Sequence, residues 1–181
     1  ILVLAWAMSD VTSILRTADF LVRLGGDSLT PESIPAWTFI LSAAAAFATG
    51  SSWGVMAIVL PLILPVAWAV AGDGGPVPAD SMHIIYSTVA CVLAGSVWGD
   101  HCSPRSDTTV LSSMAADCDH IEHVRTQIPY AATVGGVALV GGIIPAAYGV
   151  PWWLAMAACA VILFMIIKLF GKQSNLSAVT E

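Results

Sequence analysis

The 181-residue chain is 57% hydrophobic and only 10% charged, with a mean hydropathy of +0.85, whereas a soluble domain carries about 25% charged residues. Its net charge of −6 is spread over short polar stretches rather than clustered, which argues against a nucleic-acid partner. The four cysteines (Cys91, Cys102, Cys118, Cys159) follow no CxxC spacing, so neither a disulfide framework nor a zinc site has a pattern behind it.

Charge is unevenly placed. No Asp, Glu, Lys, Arg or His occurs from Ser33 to Gly72, from Ile84 to Gly99, or from Thr126 to Ile167. A hydrocarbon core about 30 Å thick takes roughly 20 apolar helical residues to cross, so the first and last of these windows each hold about two spans. The chain is expected to be an all-α polytopic membrane protein whose partner is the lipid bilayer. It opens mid-run with ILVLAWAM, without an initiator Met or a basic signal-peptide region, and reads as a single membrane domain forming the C-terminal part of a longer protein.

In chain order, residues 1–24 begin apolar and then admit Asp10, Arg16, Asp19 and Arg23, which fits a truncated span followed by an interfacial helix, or a span with a polar face turned to protein. Gly25-Gly26-Asp27 ends it, and Thr30-Pro31-Glu32 resembles a helix start with Thr30 as N-cap. The run 34–72 is too long for one ordinary span. It is interrupted by Thr49-Gly50-Ser51-Ser52-Trp53-Gly54, where Gly50 and Gly54 weaken the helix and the hydroxyls offer the backbone other partners. Two forms fit: a helical hairpin with this polar stretch at its tip, spanning or re-entrant, or one discontinuous helix. Length favours the hairpin.

The next span starts near His83, itself expected at the interface, and reaches WGDHCSPRSDTT, Trp98 to Thr109. Gly99 and Pro104 are poor residues for an uninterrupted helix. An unwound helix is therefore expected over 83–116, open from Gly99 to Ser106 and restarting near Asp107. Such backbone is tolerated at membrane depth only where it is buried in protein or lines a wet cavity. The polar stretch Asp117–Gln127 reads as a solvated loop, with His120 and His123 in water rather than on a metal. Residues 128–148 and 152–170 are ordinary spans; Gly135-Gly136 and Gly141-Gly142 allow close helix approach, and Trp152-Trp153 suit the interface. Lys168 and Lys172 place the C-terminus in the cytoplasm by the positive-inside rule, in a cell (inner) membrane.

Intramembrane carboxylates are costly and point to ion or proton pathways, and a pair of interrupted segments points to a transporter site near the midplane. Asp100 and Asp107 supply hard anionic oxygen; Ser103, Ser106, Thr108 and Thr109, with Thr49, Ser51 and Ser52 of the hairpin, supply neutral oxygen. That donor set suits Na⁺, Li⁺ or H⁺ rather than a soft metal. Asp107, Asp100 and His101 are the proton-coupling candidates, although His101 equally serves as a helix-end cap. Arg105 reads as a counter-charge for Asp100 or Asp107, and Cys102 as a small packing residue. No HExxH, GxSxG or GxGD pattern supports an intramembrane hydrolase, so no enzyme activity and no cofactor is expected beyond transported Na⁺ and H⁺.

ATGSSWGVMAIVLPL (Ala48–Leu62) and GDHCSPRSDTTVLSSMAADCDHIEHVRTQIPYA (Gly99–Ala131) resemble the signature blocks of the NhaC-type sodium/proton antiporter family. LAWAMSDVTSILRTADFL near the start is similar to that pattern more loosely. The resemblance implies one inverted repeat of a secondary transporter, with a hairpin tip at TGSSWG and an unwound helix at GDHCSPRSDTT. It implies exchange of Na⁺ for H⁺ by alternating access, with the missing N-terminal repeat of the same transporter as partner; a homo-oligomer stays open. Relatives in that group exchange organic anions such as malate and lactate, the alternative substrate class. Arg105 departs from the family pattern, which more often carries an uncharged residue there.

Overall fold

The computed structural model describes residues 30–72 and 75–171, with isolated positions among the first 23. The expected truncated span over 1–24 and Lys172 therefore fall largely or wholly outside the described residues. Among those described, regular structure is helical throughout: α1 Ile34–Thr49, α2 Ser52–Ala71, α3 Met82–Cys102, α4 Asp107–Ala115, α5 His120–Val137, a π-helical segment Ala138–Ile143, a short α6 Ile144–Ala147, and α7 Trp152–Phe170. Four stretches are long and apolar enough to cross a membrane: Ser52–Ala71, Ala79–Cys102, His120–Ala147 and Trp152–Phe170.

Residues 34–72 form a hairpin. Ile34, at the start of α1, packs with Ala67 and Ala71 at the end of α2, while Ala46, near the end of α1, packs with Val55 and Val59 at the start of α2. The two helices are thus antiparallel. Their turn is short because Gly50 ends α1 in the left-handed region (φ 71°), its N–H bonded to Ala46 O, and Ser51 begins α2 as an extended N-cap. Gly54 is not a break. It lies inside α2, where its N–H donates to Ser51 Oγ (3.2 Å), the bond an N-cap serine makes to the first turn.

Helix α3 runs parallel to α1 and against it. A Cβ on Gly95 would lie 2.5 Å from Phe39 O, and one on Gly99 would strike the Ala43 carbonyl. One turn further, Ser103 Oγ donates to Phe47 O (2.7 Å). The contacts 39/95, 43/99 and 47/103 advance four residues at a time on both helices, the spacing of small residues that lets two backbones meet. Gly99 is therefore a packing residue inside a continuous helix, not the start of an unwound one. The break is shorter than expected, Ser103–Ser106, and follows a helix that rises about 32 Å on its own. That helix is long and apolar enough to cross a hydrocarbon core by itself.

The stretch expected as a loop over 117–127 is mostly helix. Asp119 caps α5, its Oδ1 accepting from Glu122 N (2.9 Å), so that helix starts eight residues before the anticipated 128. The last span begins at Trp152 and ends at Phe170, as its composition indicated; of its residues only Ala155 is buried, which leaves an apolar surface suited to lipid or further protein. Gly135 seats the Trp98 ring and Gly141 lies against Cys159 Sγ, whereas a Cβ on Gly136 would meet no other side chain or helix within 4 Å among the described residues.

Candidate functional site

The hairpin tip and the break in α3–α4 touch. A Cβ on Gly50 would sit 2.7 Å from the Arg105 carbonyl carbon, so the left-handed glycine is required both by its backbone angle and by its neighbour. The last carbonyls of α1 have no helical donors and carry the negative end of its dipole. Ser103 Oγ donates to Phe47 O and the Arg105 guanidinium to Ala48 O (3.3 Å). Ser103 Oγ also accepts from Arg105 N (3.2 Å). The break is thereby the C-terminal cap of α1.

This corrects the role expected of Arg105. Among the described residues the ion pair within 4.0 Å is Arg125–Glu122, at 3.9 Å; Arg105 neutralises neither Asp100 nor Asp107. The physical reason is proximity to a helix C-terminus, where carbonyls already attract a cation.

The other oxygens expected in one shell are distributed. Asp100 lies in the last turn of α3, and its Oδ1 is buried and, among the described residues, without a hydrogen-bond partner. Asp107 opens α4 and is exposed, where a carboxylate complements the helix dipole. Ser103 is occupied as a cap. Thr49 donates back to Ala45 O (2.8 Å) and Ser51 caps α2. Ser52 is half-buried beside the tip. Thr109 Oγ1 donates to His101 O (3.4 Å), and Ser106 Oγ meets Thr108 Oγ1 at 2.7 Å. Pro104 lies in the turn between α3 and α4.

Two features were absent from the sequence reading. His120 is a clamp: its Nε2–H donates to Pro104 O (2.8 Å) while Nδ1 faces Ser113 Oγ (3.2 Å), tying the start of α5 to the break and to α4. A polar cavity of about 310 Å³ is lined by His101, Thr108, Thr109, Ser112, His123 and Gln127. There the Gln127 amide nitrogen lies 2.7 Å from His101 Nε2. Helical phase on α5 would have revealed both, because His120, His123 and Gln127 follow one another at i, i+3 and i+7 on one face.

The family model described as "Na+/H+ antiporter family" matches residues 1–149. A protein of Haemophilus influenzae is 40% identical over 173 residues, 96% of this chain and 31% of the relative. The arginine/ornithine antiporter ArcD of Halobacterium salinarum is 34% identical over 123 residues, 68% of this chain and 23% of its own length. A malate-2H(+)/Na(+)-lactate antiporter of Bacillus subtilis is 29% identical over 108 residues, 60% and 21% respectively. The chain thus spans less than a third of the curated relatives it matches. No solved structure matches it.

Proposed function

The chain belongs to the Na+/H+ antiporter family, and from that membership we propose that it is one repeat of a secondary transporter that exchanges Na⁺ for H⁺ by alternating access. Competition between a cation and a proton for one carboxylate is enough to couple the two fluxes, with no chemical step and no cofactor. The observation that carries this reading is Asp100: a carboxylate with one oxygen buried and, among the described residues, without a hydrogen-bond partner, in the last turn of α3 beside the charge-free α1 and one turn from the hairpin tip's seat. A charge placed so is costly unless a ligand or proton satisfies it.

The whole transporter requires the rest of the longer protein, foremost the inverted N-terminal repeat, in a cell membrane with Lys168 on the cytoplasmic side. Exchange of organic ions is the second reading. It is favoured by Arg105, whose exposed guanidinium spends one donor on Ala48 O and keeps others for a carboxylate. Relatives named for arginine/ornithine and malate/lactate exchange support it as well. Proton flux in inside-out vesicles of the full-length protein, driven by Na⁺ or by malate, separates the two.

A further inference from the structure

Thr38 Oγ1, Ser42 Oγ, Ser96 Oγ and Asp100 Oδ1 are buried and, among the described residues, without a hydrogen-bond partner. Ser42 and Ser96 are 0% exposed and Thr38 1%, so no bulk water serves them. This is unusual within the chain itself. Thr49, Thr88, Ser112, Ser113, Thr126 and Thr133 each donate to the carbonyl four residues back, the ordinary resort of a hydroxyl on a helix. The three seam hydroxyls do not.

Their positions are ordered. On α1 and α3 the close contacts are 39/95 and 43/99. Thr38 and Ser42 each precede a contact on α1, while Ser96 and Asp100 each follow one on α3. Each residue turns a helix by about 100°. In two parallel helices that face each other, a step back on one and a step forward on the other reach the same flank of the seam. The same contacts set their heights: Thr38, Ser96, Ser42 and Asp100 succeed one another at about 3 Å intervals along the bundle, two residues of helical rise per step. The flank faces α2. Ala46 and Val92, one turn from Ser42 and Ser96, pack against Val55 and Val59 of α2. Pro61 and Pro65 lie inside α2, and each deprives the carbonyl one turn earlier, Ala57 or Pro61, of its helical donor.

We propose that this seam is a cation file: a dehydrated monovalent cation of the Na⁺ or Li⁺ class enters from Asp100 and is coordinated by Ser42, Ser96 and Thr38. The oxygens are hard, a single carboxylate supplies the charge, and no nitrogen or sulfur donor stands among the four. The assignment deepens the Na⁺/H⁺ reading and rests on it for the identity of the cargo. It moves the neutral ligands from the break, where Ser103 is committed to capping, into the α1–α2–α3 interior.

The test uses the purified full-length transporter in lipid nanodiscs. Thermal unfolding is followed in NaCl against choline chloride, and vesicle antiport is measured in parallel. The variants are Ser42→Ala, Ser96→Ala and Thr38→Val, with Thr88→Val as the control, since the Thr88 hydroxyl is already bonded to Ile84 O. The file predicts a Na⁺-specific rise in the unfolding midpoint. Its half-effect concentration should increase about tenfold in each seam variant, the loss of one polar contact, and stay unchanged in Thr88→Val. Half-effect concentrations are read against each variant's own baseline, so altered stability does not imitate altered binding. A wild type without the Na⁺-specific rise, or seam variants with unaltered half-effect concentrations, overturns the file; the latter is the outcome if the hydroxyls hold only water. Antiport that persists unchanged in all three variants overturns the file and leaves the exchange reading standing. Seam-dependent Na⁺ binding without Na⁺/H⁺ exchange leaves the file and removes the exchange reading.

Discussion

Gly50 rests on the backbone of Arg105: a Cβ at Gly50 would lie 2.7 Å from the Arg105 carbonyl carbon and 2.8 Å from its oxygen. Two interruptions 55 positions apart in sequence therefore form a single joint, with the hairpin tip as one half and the broken helix as the other. Gly50→Ala meets two penalties. A left-handed backbone costs an L-residue about 1–2 kcal/mol, and the methyl group then displaces Arg105. The expected outcome is a lower unfolding midpoint together with loss of transport. Normal transport in Gly50→Ala would dissolve the joint.

Ser103 distinguishes a cap from a ligand. Ser103→Ala leaves Phe47 O without its donor, and a lost buried hydrogen bond costs about 1–3 kcal/mol. Unfolding experiments should register that loss, while the half-effect Na⁺ concentration stays within about twofold of wild type, well short of one lost polar contact. A large loss of Na⁺ affinity at unchanged stability would return Ser103 to the ion's coordination shell.

Arg105→Gln removes the charge at the end of α1 but keeps an amide donor for Ala48 O. For a cation exchanger, Na⁺-driven proton flux persists in this variant. For an organic-anion exchanger, malate-driven flux is abolished, because a bidentate carboxylate partner is gone. The two fluxes measured side by side on the same vesicles decide.

His120→Ala frees Pro104 O and Ser113 Oγ from the ring that joins them. Hydrogen exchange at the amides of Ser103, Arg105 and Ser106 is expected to accelerate, with α7 unaffected. Unchanged protection at the break would show that the clamp holds nothing.

Much of this was legible in the chain. Forty charge-free residues with a polar, glycine-bearing centre foretold the hairpin, and the boundaries of α7 followed from Pro151 and the end of the apolar run. Gly99 was misjudged because a glycine in a helix and a glycine in a break look alike until the neighbouring helix is known; here the Ala43 carbonyl occupies the space of the missing Cβ. The start of α5 carried its own signal, Asp119 with Glu122 three residues on, a capping-box spacing. The density of polar residues around it disguised a helix as a loop. The seam was not legible at all. Thr38, Ser42 and Ser96 are small residues in apolar runs, and only the register of α1 on α3 reveals that they share a flank with Asp100.

The central claim is that Asp100 is where Na⁺ and H⁺ compete. It is tested most directly by following luminal pH in acid-loaded inside-out vesicles that contain the full-length protein, as wild type and as Asp100→Asn. The account predicts that added Na⁺ alkalinises the wild-type lumen and that Asp100→Asn, shown to be folded, gives no response. An equal response in Asp100→Asn, or no Na⁺ response in the folded wild type, would contradict it.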